Sequence, residues 1–416
     1  MTLAVNLRQL LNGSKSRIMK KQIARKTILP CFIFALILCF QFQIKAQLNN
    51  RPGKIYRVGI FAPLFLDSAF TFDVLKNERT FPKISIAGLD FVEGATIALD
   101  SLSANKRVEA FIYDVKSSSN PVNYLIQSRT LDSLDLIIGS VRDQEFKQLA
   151  DFALKKNIPF ISSTYPNDGG ITGNPFLVIL NSTLKTHCEG IYNFLVQNHG
   201  TDKILLVKRK GEDRIFNYFK YLNEQEGKPL LHIETLSVDS ALYSGNLRNK
   251  LDSNKKTVVI GASLDEEFVK TVANACYAIK NKYPITLIGM PNWEGFKIFN
   301  DKNSLKDFPV LYTTPFLNQK SNLFDNRLIS EYYRLYKSKP SDMAYKGFET
   351  VYFFTHLLLN NPSDFTAHLN DKQALVFQDF NFKPIYLNKK NGLPDYFENS
   401  HLFIMKMFNG VSSREW

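Results

Sequence analysis

Three strand-like apolar runs in this chain end in small polar residues, and those residues could hold a ligand. The runs are Ile137-Ile138-Gly139-Ser140, Phe160-Ile161-Ser162-Ser163-Thr164 and Val259-Ile260-Gly261-Ala262-Ser263. Ser and Thr hydroxyls, together with the free backbone N–H groups at a helix start, form a neutral cradle for a carboxylate or a phosphate. At any one run the same residues could instead serve only as helix caps. Three such runs in one chain favour a binding cleft.

The sequence lacks the compact signatures of catalysis and of metal binding. It contains no Gly-x-x-x-x-Gly-Lys phosphate loop, no Gly-x-Ser-x-Gly elbow and no His-Glu-x-x-His pair. His187 and Cys188 are adjacent, but neighbours in a helix point about 100° apart and make poor co-ligands for one metal. We therefore expect a protein that is not an enzyme, with no catalytic residues, no metal and no cofactor.

The elements that must position these residues alternate between strand and helix. A short apolar strand such as 134–139 is followed by an amphipathic helix, and the helix over 89–102 places Phe91, Ala95, Ala98 and Leu102 on one face. This alternation predicts an α/β protein whose parallel sheets are covered on both faces. The pattern starts again at about residue 184, which predicts a second lobe. Near the end, Asn409-Gly410 after a strand over 401–408 is typical of an antiparallel hairpin.

The first 46 residues have the order of a secretory signal peptide. Basic residues between Met19 and Lys26 precede an apolar run over 28–42, and Ala46 stands before the polar Gln47. We expect translation to start at Met19, cleavage between Ala46 and Gln47, a linker over 47–54 and a periplasmic protein. The alternative is an uncleaved membrane anchor, although the unbroken apolar core over 31–40 is about half the length of a spanning helix.

Length and charge narrow the class of protein further. Removal of 46 residues from 416 leaves 370, which is long enough for two domains. The chain has 52 Lys and Arg and 39 Asp and Glu, and eight of the basic residues fall in the leader, so the remainder carries 44 minus 39, or +5. This mild and scattered charge argues against nucleic acid as a partner. Cys188 and Cys276 lie on helical apolar stripes and could be buried thiols or a disulfide.

Taken in order, several segments resemble the type I periplasmic solute-binding proteins, the branched-chain amino-acid receptor type. The segments that carry the resemblance are 58–64, 88–100, 108–114 with Asn120-Pro121, 137–140, 158–162 and 340–359. Each motif is short, but the ordered set spans nearly the whole chain after the leader.

The resemblance implies two Rossmann-like lobes joined by three crossovers, with a ligand in the cleft between them. Lobe 1 is expected over 55–180 and 311–360, and lobe 2 over 181–310 and 361–416, with the strand near Tyr312 returning the chain to lobe 1. In the family, small hydroxylic residues hold the carboxylate of an amino acid. These residues map here onto Ser140, Ser162, Ser163 and Thr164.

Other residues at the expected cleft depart from the amino-acid binders. After the first strand of the second lobe, those proteins usually have one aromatic residue and acidic residues, whereas this chain has Lys208-Arg209-Lys210. Arg142 stands where they usually have a small residue. These cations would repel an ammonium group and favour an anion, while Asp265 or Glu266 could supply a negative partner. Tyr165 and Ser263 complete the predicted ligand-binding set.

Two functions remain open on the sequence. The first is an exported solute-binding protein for a small polar or anionic, amino-acid-like ligand, which serves ABC-type uptake or sensing together with an inner-membrane ABC permease. The second is a non-transport protein of the same fold that binds another envelope protein, for example in cell-wall regulation.

Overall fold

The computed structural model describes residues 54–72, 74–77, 81–102, 107–225, 227–317, 322–387 and 392–416. The predicted leader and all but the last residue of the predicted linker lie outside these residues. Within the part of the chain that the structure describes, no helix has both the length and the apolar character needed to cross a bilayer.

The first third of the described chain builds most of one parallel sheet. From residue 54 to residue 180 the elements are β1 (Tyr56–Ala62), α1 (Leu66–Ala69), β2 (Phe70–Thr71), β3 (Val74–Leu75), α2 (Lys83–Leu102), β4 (Val108–Asp114), α3 (Val122–Gln127), β5 (Leu136–Gly139), α4 (Asp143–Lys156), β6 (Phe160–Ser162) and β7 (Leu177–Ile179). The strands β5, β6 and β7 are wholly buried, which explains why their sequences are apolar except for Gly139 and Ser162 at the ends of β5 and β6.

The chain then builds a second sheet. Its elements are α5 (Leu184–Asn198), β8 (Lys203–Arg209), α6 (Arg214–Glu224), β9 (Ile233–Val238), α7 (Ser244–Arg248), β10 (Thr257–Gly261), α8 (Glu266–Tyr277), β11 (Ile285–Ile288), a 3-10 helix (Pro291–Gly295), α9 (Lys297–Asn300) and β12 (Val310–Thr314). The five strands β8 to β12 are mutually parallel.

The last hundred residues contribute to both sheets. They form α10 (Leu323–Tyr336), α11 (Asp342–Asn360), two 3-10 helices (Phe365–His368 and Lys372–Ala374), β13 (Phe382–Ile385), β14 (Tyr396–Asn399), β15 (Phe403–Phe408) and β16 (Val411–Arg414). The β15–β16 hairpin turns at Asn409 and Gly410, both at positive φ, as the sequence predicts.

The described strands form two seven-stranded sheets, each in its own lobe, and a small two-stranded sheet of β2 and β3. The first has the order β13-β14-β7-β6-β5-β1-β4, and the second has the order β16-β15-β12-β11-β10-β8-β9. Helices α2 and α11 cover one face of the first sheet, and the other face packs against residues of α3 and α4. The predicted α/β class and its Rossmann-like lobes are confirmed.

The chain crosses between the lobes three times, as predicted, but two of the predicted lobe boundaries are wrong. Strand β12, which contains Tyr312, pairs with β11 and β15 in the second sheet and does not return the chain to lobe 1. The return comes after Thr314. The segment 361–416 is also divided, because β13 and β14 join the first sheet and only β15 and β16 join the second. The sequences of these strands carry no signal for which of two similar sheets they join.

Candidate functional site

The hydroxyl residues predicted at the first lobe meet at the carboxyl ends of β5 and β6. The N–H of Ser140 donates to the carbonyl of Phe61 (2.8 Å), and the N–H of Ser163 donates to the carbonyl of Gly139 (2.9 Å). These bonds continue the sheet pairing beyond the strands and bring the Ser140 Oγ within 3.1 Å of the Thr164 Oγ1. We call Ser140, Ser162, Ser163 and Thr164 the hydroxyl cluster.

Two members of the hydroxyl cluster have unused hydrogen-bonding capacity. Ser162 and Ser163 have no exposed surface, and neither side-chain oxygen has a partner among the described residues. A buried hydroxyl without a partner costs about 1–3 kcal/mol. Polar groups left in this condition at a strand end are suited to receive the polar atoms of a ligand.

Tyr165 and Arg142 flank the hydroxyl cluster but face different surroundings. The Tyr165 hydroxyl donates to the Asp143 carboxylate (3.1 Å), and its ring lies 5.2 Å from the ring of Phe146. Desolvation, and then the bond to Asp143, raises the pKa of the Tyr165 phenol. Arg142 is exposed at the start of α4 and makes no side-chain cap there.

In the second lobe, the cations that were predicted to make the cleft positive are already paired with carboxylates. The Lys208 ammonium lies 2.6 Å from Asp213, and the Arg209 guanidinium contacts Asp265 (2.7 Å) and Glu212 (3.2 Å). The predicted positive character is therefore largely compensated within the lobe. The pairing of Arg209 with Asp265 left no local signal in the sequence, because the two residues lie 56 positions apart. The short spacing of Lys208 to Asp213 and of Arg209 to Glu212 was a local signal that the sequence reasoning did not use.

Ser263 belongs to the same paired network. Its hydroxyl donates to Glu212 (3.0 Å) and accepts from the N–H of Asp265 (3.2 Å). Asp265, rather than Ser263, is the N-cap of α8, and its carboxylate accepts from the N–H of Phe268. This backbone bond, followed by the pairing with Arg209, lowers the pKa of the Asp265 carboxyl.

Trp293, which the sequence reasoning overlooked, covers the strand ends of the second lobe. Its indole is 1% exposed and its Nε1 donates to the carbonyl of Ser263 (3.1 Å). A Cβ added at Gly261 or at Gly289 would lie 2.3 or 1.9 Å from the indole. Gly261, at the end of β10, therefore leaves the space that this side chain fills.

The sequence reasoning also overlooked a pair of oppositely charged residues that lies where the lobes face each other. Lys346 comes from α11 of the first lobe, and Glu294 comes from the 3-10 helix after β11 of the second lobe. The two are close enough for each to influence the pKa of the other, while desolvation is the larger influence on both and disfavours the charged forms. The two residues come from separate lobes and lie far apart in the sequence, so no short motif could have revealed the pair.

The remaining chemistry of the described residues is limited. They contain no group of three or more His, Cys, Asp or Glu side chains placed to hold a metal ion. Cys188 and Cys276 are buried free thiols, and burial raises the pKa of each to about 12. One cavity of about 650 Å³ lies beside the amino ends of β11 and β12, at the opposite edge of the second sheet from Trp293.

Comparison with solved structures supports the fold, whereas comparison of the sequence with known families and curated proteins finds no relative. No family model and no curated protein matches the chain. Among solved structures, a branched-chain amino acid ABC transporter protein from Rhodospirillum rubrum aligns with a TM-score of 0.63 at 14% identity, covering 87% of this chain and 100% of its own. A branched-chain amino acid ABC transporter periplasmic ligand-binding protein from Burkholderia xenovorans aligns with a TM-score of 0.56 at 10% identity, covering 87% and 94%.

A third structure, an ABC transporter substrate-binding protein from Desulfitobacterium hafniense in complex with Leu, aligns with a TM-score of 0.54 at 11% identity, covering 87% of this chain and 100% of its own. These alignments extend over both lobes, in agreement with the two sheets and three crossovers described above. The chain therefore has the two-lobed α/β fold of type I periplasmic binding proteins.

Proposed function

We propose that this chain is an exported solute-binding protein that holds a small polar or anionic, amino-acid-like ligand between its lobes. The observation that carries the proposal is the pair of buried, partnerless hydroxyls of Ser162 and Ser163 beside the bonded pair of Ser140 and Thr164. They lie outside the carboxyl ends of parallel strands, where open α/β sheets bind ligands. ABC-type uptake or sensing, with an inner-membrane permease as partner, is the role that fits such a protein.

The lobes give the ligand a way to act on the whole molecule. The ligand carboxylate would accept hydrogen bonds from the hydroxyl cluster in the first lobe, and the second lobe would close over it by rotation at the three crossovers. A ligand shifts an open–closed equilibrium only through its differential affinity for the two states. Contacts with both lobes, made only in the closed state, would supply that difference.

Export is part of the proposal and depends on the basic and apolar order of residues 19–46. A reporter joined behind Gln47 tests it separately, because an inactive leader would leave the reporter in the cytoplasm.

The second lobe favours one alternative function. Its cations are paired internally and Trp293 covers two of its strand ends, so this half of the cleft offers few free groups to a small ligand. A non-transport protein that uses the two-lobed shape to bind another envelope protein would need no such groups.

A thermal-shift screen of the chain without its leader distinguishes the two functions. The panel contains amino acids, dicarboxylates, nucleosides and small anions. A solute-binding protein should gain stability with its ligand by mass action, about 2.7 kcal/mol when the ligand is at 100 times its Kd. The alternative predicts no response to any small molecule and recovery of an envelope protein by affinity capture.

A matched pair of variants locates the site. The double change Ser140→Ala with Ser163→Ala should abolish the shift, because it removes hydroxyls that contact the ligand. Thr257→Val is the control, since it removes another buried hydroxyl without a partner, at the amino end of β10 in the second lobe. A shift that survives the double change would place the ligand elsewhere.

A further inference from the structure

Lys346 is a cation of the first lobe that is held beside the crossover to the second. It lies near the start of α11, and its ammonium is 4.1 Å from the centre of the Phe316 ring. Phe316 follows β12 by two residues, at the beginning of the second crossover. The side chain of Lys346 is partly buried. The charge is therefore fixed in the region where the lobes meet instead of extending into solvent.

Among the described residues, the ammonium of Lys346 has no ion-pair partner. No described carboxylate lies within 4.0 Å of it, although Glu294, Asp342 and Glu349 surround it at longer range. Glu349 is engaged elsewhere, because its oxygens accept from the N–H of Phe377 and the side-chain amide of Gln378. An ammonium has three donors, and the contact that the described residues give this one is the aromatic face of Phe316.

The other cations predicted for the cleft differ on this point. Lys208 and Arg209 are each within 3 Å of a carboxylate, so an anion would have to displace an existing partner. No described carboxylate is in ion-pair contact with Lys346, so an anion would not have to displace one. Desolvation lowers the pKa of its ammonium, which means that an added anion would relieve an existing cost.

We propose that the ammonium of Lys346 receives an acidic group of the ligand, so that the cleft takes a small molecule with two separated acidic groups. One acidic group is held by the hydroxyl cluster and the other by Lys346. This inference rests on the proposed solute-binding function and narrows its ligand to the chemical class of short dicarboxylates and acidic amino acids. A neutral amino acid has no second acidic group for the Lys346 ammonium, so Lys346 would not contribute to its binding.

The experiment compares di-acids with their mono-amides, because each pair differs by one charge and little in shape. Binding of glutarate, succinate, glutamate and aspartate is measured by calorimetry beside the corresponding mono-amides, on the wild-type chain and on Lys346→Met, Lys346→Gln and Lys346→Arg. Lys339→Met is the matched control, since Lys339 is exposed just before α11. Melting of each unliganded variant shows whether it folds, and loss of an unpaired, partly buried charge should not lower the melting temperature.

We expect at least one di-acid to bind more than about tenfold tighter than its mono-amide. Lys346→Met and Lys346→Gln should remove that preference, while Lys346→Arg and Lys339→Met should keep it. Equal binding of the mono-amides, or a preference that survives Lys346→Met, would overturn this inference and leave the solute-binding function standing. If no compound of the wider panel binds, the solute-binding function fails as well.

Discussion

Glu349 is a carboxyl group buried inside the first lobe, and its ionisation should make stability depend on pH. It is 4% exposed, and burial raises its pKa from 4.5 to about 8, against the effect of hydrogen bonds from Phe377 and Gln378. The folded state therefore keeps a proton that the unfolded state loses between pH 4.5 and 8. In that window stability falls as pH rises, by up to about 1.4 kcal/mol per pH unit.

Replacement by the neutral isostere tests this assignment. Glu349→Gln should flatten the fall of the unfolding free energy between pH 5 and 8, measured by urea denaturation at several pH values, and should be at least as stable as the wild type at pH 8. Glu267→Gln is the control, because Glu267 is exposed in the first turn of α8. An unchanged slope in Glu349→Gln would show that another group controls the pH dependence.

At the residue scale, the sequence predicted positions better than it predicted partners. The apolar runs located Ser140, Ser162 and Ser163 at strand ends, because a buried strand leaves a clear local pattern. The neutralisation of Arg209 by Asp265 and the covering of Gly261 by Trp293 join residues separated by 56 and 32 positions. Such contacts depend on how the loops of different strands meet, and no local spacing encodes this.

At the scale of elements, the crossing of α2 and α11 depends on two glycines. A Cβ at Gly94 would lie 1.9 Å from the carbonyl oxygen of Ala344, and a Cβ at Gly347 would lie 1.9 Å from that of Phe91. The backbone of each helix occupies the space that a Cβ at the glycine of the other helix would need. An added carbon at either glycine must therefore push the helices apart. Overpacking of this kind costs about 1–3 kcal/mol.

Gly94→Ala should therefore destabilise the protein, although alanine is the better helix former. Gly245→Ala is the matched control, because Gly245 also lies in a helix but a Cβ there would meet nothing within 4 Å. The control should be neutral or more stable by about 0.5 kcal/mol. Chemical denaturation of both variants decides the matter, and equal stabilities would mean that the helices move apart at no cost.

The buried face of α2 was predictable in a way that its partner was not. Phe91, Ala95, Ala98 and Leu102 are all buried, as the helical spacing predicts. The periodicity shows which face must be covered but not which element covers it. The same limit explains why β12 was assigned to lobe 1 by mistake, since its apolar sequence would suit either parallel sheet.

At the scale of the whole molecule, the three crossovers divide the two cores unequally along the chain. Of the 43 described buried apolar residues in the core of the second lobe, only Phe403, Ile404, Met405 and Met407 come from beyond Thr314. In the first lobe, the core on one face of the sheet contains 32 described buried apolar residues, and 17 of them come from beyond residue 322. The second lobe is thus nearly contiguous in sequence, whereas the first needs the distant helices α10 and α11.

This inequality predicts different behaviour for two fragments of the chain. Residues 184–314 keep five parallel strands with helices and lose only the β15–β16 hairpin, so this fragment should fold with reduced stability. Residues 54–180 lose the helices that cover Val58, Ile60 and Ile138, and burial of each such side chain contributes about 1.5–3 kcal/mol. This second fragment should stay unfolded or aggregate. Circular dichroism and amide dispersion in NMR spectra would distinguish these outcomes. A cooperative melt of the fragment 54–180 alone would show that α10 and α11 are not needed to complete the first lobe.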